Sequence, residues 1–189
     1  MGYAAEERRR NGLGDTDAAM TTNELENVLR GTRVDDVLLD GFMDQDEVPV
    51  RFRALRDSLY FELGSVYLHF KAIDSEGAMS IAIVDAMGEH PALDEDMVHA
   101  VSSMREQVLQ DADGSNEVKA LRLWGPAEVA GELRCRAAQL ELGNGQQIFV
   151  DPSYHFGMRI GGGEQRETWL ASWPGAASER EHVLSLVAP

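Results

Sequence analysis

Asp151, Tyr154 and His155 stand close together in the run DPSYHFG, and they are residue types that acid–base chemistry uses, because a tyrosine and a histidine beside a carboxylate can pass a proton on. The run also has a plainer reading. Asp-Pro-Ser starts turns, and Phe156 would then lead into a strand with Met158 and Ile160, so a structural corner is the expectation. The five histidines, His69, His90, His99, His155 and His182, show no HxH, HExxH or Cys-His spacing, so the sequence assigns no zinc ligands. No GxSxG, Walker loop or GxGxxG is present. GGG at 161–163 follows a strand pattern with no helix signal behind it, which predicts a turn rather than a phosphate cradle. DQDE at 44–47 offers carboxylates but lacks the glycine at the sixth and the glutamate at the twelfth position of a calcium loop. No catalytic, metal-binding or cofactor-binding residue is therefore assigned, and the chain reads as a non-enzyme without cofactor.

The charge pattern carries more function than any motif. The 189 residues have a formal net charge of −16, and it is segregated. Residues 34–47 hold six acids and no Lys or Arg, and residues 89–117 hold eight acids against Arg105 alone. A field of one sign speeds encounter with a basic partner and weakens the fold through self-repulsion. It repels a polyanion, so nucleic acid is excluded as a partner. The plain alternative is solubility. On the binding reading, the partner-facing residues are Asp35, Asp36, Asp40, Asp44, Asp46 and Glu47 in the first segment and Asp94, Glu95 and Asp96 in the second, the two lying near each other at one end of a sheet.

Elements that could hold these residues follow from periodicity. TTNELENVLRG places Thr21 and Glu24 as a capping box before the stripe Leu25, Val28 and Leu29, with Gly31 to stop the helix. From Val34 to Ala86 short period-two runs separated by Gly, Ser and Asp read as a β-meander. In VYLHFKA the alternation puts Tyr67, His69 and Lys71 on a wet face, away from Val66, Leu68 and Phe70. Met97, Val101, Met104 and Val108 recur at helical spacing behind acids, which predicts a helix over 94–110. Strand patterning resumes at 118, Asn144-Gly145 signals a hairpin, Thr168–Trp173 reads as a strand and residues 177–187 as a last short helix.

The blocks recur in order. VDDVLLDG at 34–41 matches VKALRLWG at 118–125, VRFRAL at 50–55 matches LRCRAA at 133–138, and FELG at 61–64 matches LELG at 140–143. An internal duplication is the expectation, with residues 34–86 and 118–160 as related meanders, Val37 answering to Leu121 and Phe61 to Leu140. The paired arginines Arg51/Arg53 and Arg134/Arg136 then mark the repeated fold, each pair on a polar face against carboxylates of neighbouring strands. The fold class is α+β and β-rich: two similar antiparallel β-meander halves with a helix before each. Residues 20–189 form a single globular domain, with halves at about 20–93 and 94–175 and a short C-terminal segment, preceded by a polar extension 1–19 that has the composition of a disordered arm.

Apolar residues make up 43% of the chain, no apolar run approaches 18 residues, and the amino-terminal stretch has no signal-peptide pattern, so no membrane contact is expected. The lone Cys135 fits a buried hydrophobe in a reducing compartment, hence a cytoplasmic protein.

The stretch LELGNGQQIFVDPSYHFGMRIGG resembles segments of small bacterial β-rich domains, and the chain over roughly residues 20–175 is similar in type to the immunity proteins of bacterial polymorphic-toxin and contact-dependent inhibition systems. The resemblance implies stoichiometric neutralisation of a toxin domain, often a basic nuclease, and carries over no site residue. Two other readings stand beside it. One is a small-molecule-binding protein or enzyme with a pocket between the halves near residues 151–157; the other is a homo-oligomer joined through sheet edges.

Overall fold

A computed structural model describes residues 20–46, 48–73, 77–88, 96–110, 115–153, 157–173, 175 and 180–186. The extension 1–19 lies outside them. The helix α1 (Thr22–Leu29) forms where the capping box predicts it: the Glu24 N–H donates to Thr21 Oγ1 at 3.2 Å and the Thr21 N–H donates to Glu24 Oε2 at 2.8 Å. Its stripe buries Leu25 and Leu29, and Gly31 takes a left-handed φ of 73° just past the end.

Antiparallel strands make up the rest, in two sheets. The first contains β1 (Asp36–Asp44), β2 (Arg51–Ala54), β3 (Ser58–Leu63), β4 (Val66–Ile73), β5 (Ala78–Val84) and β6 (Met97–Ser103). β2 and β3 lie end to end along one edge of β1, interrupted at 55–57, where the Leu55 N–H still donates to the Asp40 carbonyl at 2.8 Å. β6 pairs with the opposite edge of β1. The second sheet contains β7 (Val118–Trp124), β10 (Ala137–Leu142), β11 (Gln147–Ser153), β12 (Gly157–Gly161) and β13 (Glu181–Ser185). With β2 and β3 counted as one interrupted strand, and a hairpin at 127–135 that extends the first sheet set aside, both sheets have one order along the chain: four strands as a meander, and a fifth that returns beside the first. The registers agree as well, with Val37 opposite Phe61 and Leu121 opposite Leu140.

β8 (Ala127–Val129) and β9 (Glu132–Cys135) join the sheets. They prolong β7 and β10 past Gly125-Pro126 and Arg136 and pair beside β5, so one hairpin has its base in the second sheet and its tip in the first. Gly125 turns this corner at φ 60°, and the Arg136 N–H donates to the Trp124 carbonyl at 2.8 Å. One core lies between the sheets. Val37, Phe61, Leu68, Phe70 and Ile81 of the first sheet pack in one buried cluster with Leu121, Leu123, Leu140 and Val150 of the second and with Leu25 and Leu29 of α1. Cys135 is part of it, and burial pushes its thiol pKa up.

Three local expectations are corrected. Residues 97–103 form a strand, followed only by the single turn α2 (Arg105–Val108). A spacing of four between Met97 and Val101 satisfies period two as well as a helix, and a run with two valines and two serines favours the strand that the open edge of β1 can pair. β6 thus belongs to the first sheet, and no long helix precedes the second. Thr168–Trp173 is not a strand; its residues to Ser172 form the end of the helix α3 (Gly163–Ser172), which begins inside GGG. Residues 181–185 are strand β13 rather than helix, because β7 offers them an edge.

Gly157 shows how tightly the layers meet. It sits at φ 75°, the next residue donates its N–H to the Arg56 carbonyl at 2.6 Å, and an added Cβ would overlap that carbonyl group. Gly145, in the Asn144-Gly145 turn, has φ 83° but open space around it. Gly157→Ala is expected to cost about 2–5 kcal/mol, from left-handed backbone plus overpacking, and Gly145→Ala about 1–2 kcal/mol. Urea denaturation of the two variants checks this, and equal losses would disprove the close approach.

Candidate functional site

The β1–β6 ladder runs from Leu38 opposite Ser103 to Asp44 opposite Met97, and the Gln45 N–H continues it to the Asp96 carbonyl at 3.0 Å. The acidic segments 34–47 and 94–113 are therefore side by side over residues 37–45 and 96–104. Alternation places Asp36, Asp40 and Asp44 on one face of β1, the outer face, with Val37 and Leu39 turned to the core.

The acids do not share one role. Asp36 accepts from the Val37 N–H at 2.6 Å and from Ser103 Oγ at 2.9 Å, which ties β1 to β6. Asp35 pairs with Arg33 at 2.7 Å and accepts from the Gly64 N–H at 3.1 Å. Asp44 accepts from the N–H of the exposed Asp46 at 3.1 Å. Asp96 is half-buried, and Glu47, Asp94 and Glu95 lie outside the described residues. Asp40 cannot meet a partner: it is 5% exposed, accepts from the Gly41 N–H at 2.8 Å and lies 2.7 Å from His99 Nε2. Arg51 and Arg53 stand opposite Asp44 and Phe42 on β2, so basic groups border the acids on that side.

Asp40 belongs instead to a group of ionisable side chains on the outer face of the first sheet. Tyr60 and His69 stack with ring centroids 4.2 Å apart, His69 Nε2 lies 3.3 Å from Ser58 Oγ, and the Gly88 N–H reaches Tyr60 Oη at 3.5 Å. This face is not wet as the alternation suggested, because Ser58 and Tyr60 are buried. Burial, with the charge of Lys71 adding to it, lowers the His69 pKa to about 4; burial also raises that of Tyr60. Serine, histidine and aspartate are the types of a nucleophilic triad, yet here they are divided. Asp40 orients His99 while the histidine beside Ser58 is His69, so no single imidazole links carboxylate to hydroxyl.

Register gives the counterparts in the second sheet. Counting from the pairs Val37–Phe61 and Leu121–Leu140, Trp124 takes the place of Asp40, Ala137 of Ser58, Gln139 of Tyr60 and Phe149 of His69. There Trp124, Ala137 and Phe149 form an aromatic cluster with Trp169 of α3. The second sheet's outer face thus holds an aromatic cluster under α3, beside the ion pairs of Arg122 with Glu141 and Glu181, where the first sheet's holds Asp40, Tyr60 and His69.

His69 yields a titration. Its proton resonances are expected to titrate near pH 4 rather than near 6.5. A lowered folded-state pKa means that between pH 6.5 and about 4 the unfolded chain takes up a proton that the native chain refuses, so stability falls as pH falls through that window. A His69→Phe chain should lack this component. An NMR midpoint above 6 would remove the basis for it.

Asp151 is fully buried; it accepts from Arg159 Nε at 2.9 Å and from Gln165 Nε2 at 2.9 Å, which makes it a structural charge between β11, β12 and α3. Tyr154 and His155 lie outside the described residues. The paired arginines also diverge. Arg134 reaches Glu132 at 2.8 Å, whereas Arg136 donates to the Gly77 carbonyl at 3.3 Å and lies over the Trp173 ring. A cleft of about 350 Å³ opens between Val108, Ile160 and Gly161, but Gln146 on its wall already bonds the Val108 carbonyl and the Gln110 N–H. Among the described residues, no three His, Cys, Asp or Glu side chains are placed to hold a metal ion, and no helix is long and apolar enough to cross a membrane. Searches against protein-family models, curated proteins and solved structures found no match to this chain.

Sequence reasoning overlooked two residues at this site, Val98 and Val101, which are 47% and 43% exposed on β6. Reading the segment as a helix hid them, since their exposure follows only from the edge position of the strand.

Proposed function

We propose that this chain is a non-enzymatic acidic binding protein that engages a basic protein partner through the β1–β6 side of its first sheet. The observation that carries the reading is the ladder itself: it sets Asp44 and Asp46 beside Asp96, with Asp36 at its far end, in a chain of net charge −16. Such a field raises association rates and selects against acidic partners. In its finer form the proposal is an immunity protein acting in the cytoplasm, which neutralises a basic toxin domain by covering it. The shared strand order and the two equivalent registers support descent of both sheets from one duplicated unit. A small-molecule site at 151–157 gains nothing from Asp151, whose two oxygens are both engaged.

Capture of partners from the source cell, mass spectrometry, and association kinetics with the purified partner test the reading. Asp44→Asn, Asp46→Asn and Glu47→Gln together should slow association several-fold at low salt, and the difference should shrink as the Debye length falls to about 8 Å at physiological ionic strength. An acidic or neutral partner, or an unchanged rate for the triple variant, would sink it.

A further inference from the structure

β6 is an edge strand of unusual composition. Among the described residues it pairs with β1 alone, and its seven residues, MVHAVSS, include no Lys, Arg, Asp, Glu or Pro. Edge strands in soluble proteins are normally blunted by inward or flanking charge, by proline or by a covering element, because their open backbone groups template pairing with another chain. The fifth strand of the second sheet shows such protection. β13 carries Glu181, held at 2.9 Å by Arg122 of β7, and α1 packs against it. β6 has the same topological place; it carries the His99–Asp40 pair and charges beyond its ends, but among the described residues no helix is packed against it as α1 is against β13, and Val98 and Val101 are half-exposed along it.

Resting on the basic-partner reading above, we infer that β6 takes up an extended segment of that partner as an added β-strand, with backbone hydrogen bonds supplying affinity and basic side chains supplying selection. Charge chooses the occupant. Asp44, Asp46 and Asp96 lie at one end of β6, and Asp36 and Glu106 at the other. An incoming strand with Lys or Arg near its ends meets carboxylates at both. A second copy of this chain, paired edge to edge, would bring two bodies of charge −16 and their acidic ends together, which disfavours it. The added strand buries the exposed sides of Val98 and Val101 and satisfies the open edge, as in other strand-addition complexes.

Fluorescence anisotropy with synthetic probes tests this on the full chain. The main probe is a labelled peptide of about nine residues alternating lysine and valine, long enough to span β6. A second replaces every lysine with glutamate, and a third carries N-methyl groups on alternate backbone nitrogens. The lysine peptide should bind saturably at low salt and the glutamate peptide should not. N-methylation should weaken binding about tenfold or more, as expected from losing a few backbone hydrogen bonds. A Val98→Lys/Val101→Lys chain, with circular dichroism unchanged because both positions are half-exposed at an edge where a lysine side chain can reach water, should not bind the lysine peptide.

Failure of the lysine peptide to bind overturns the inference. Binding that survives N-methylation, or that persists in the double-lysine variant, overturns strand addition while leaving the acidic-surface reading in place. A concentration-dependent dimer that the double-lysine substitution dissolves would assign the edge to a second copy and overturn it as well.

Discussion

Arg159→Met is expected to lower stability by about 3–5 kcal/mol, and Asp151→Asn by clearly less, when both are measured by urea denaturation at neutral pH. The asymmetry follows from where each charge sits. Asp151 has no solvent exposure, whereas the Arg159 side chain is 41% exposed. Removing the guanidinium leaves a buried carboxylate that keeps the Gln165 amide as a donor among the described residues but no counter-charge, and an uncompensated buried charge is costly. Removing the carboxylate charge leaves a cation that can turn to water. Losses of equal size in the two variants, or a loss below about 1 kcal/mol for Arg159→Met, would mean that Asp151 is not the buried anchor it is taken to be here. The result also bears on chemistry, because an aspartate committed to holding β11, β12 and α3 together is not available as a proton shuttle.

The strands around Phe61 and Leu140 were legible because they are short runs rich in apolar residues between turn residues, although both faces of each prove largely buried. The capping box at Thr21 and the Asn144-Gly145 hairpin were legible for a different reason: their chemistry is local and tolerates few other structures. β6 and β13 were not, since each exists to pair with an edge formed by residues far away in sequence, and their own patterns are ambiguous. α3 escaped because it starts on glycines without a side-chain cap, and it turns Trp169 and Trp173, four apart, toward the aromatic cluster of the second sheet.

The candidate site was legible to the same degree and for the same reason. Adjacency of the two acidic segments was expected from their position near one end of a sheet, although through a helix rather than through a strand ladder. The fate of Asp40 was hidden. Spacing puts it in line with Asp36 and Asp44, but what covers an outer face is decided by the connection that crosses it, and alternation carries no information about that. Hence Asp40 and His69 read as surface residues and prove to be buried and half-buried.

The shared core makes a final prediction that separates one cooperative body from two. Phe61 is fully buried, faces Val37 across the ladder and meets Phe70 edge-on at 5.6 Å between centroids. Leu140 is equally buried opposite Leu121. Phe61→Ala is expected to cost about 3–5 kcal/mol and Leu140→Ala about 2–5 kcal/mol, through lost transfer energy and the cavity left behind. The three tryptophans, Trp124, Trp169 and Trp173, gather at the outer face of the second sheet, with Trp173 also beside Gly77 next to β5, so tryptophan fluorescence reports chiefly that sheet. Circular dichroism reports both. Because one buried cluster spans the two sheets and the β9–β10 strand crosses from one to the other, Phe61→Ala should move the fluorescence midpoint as far as the dichroism midpoint, although no tryptophan is near the substitution. A fluorescence transition that stays in place while dichroism shifts would show that each sheet folds as a separate unit.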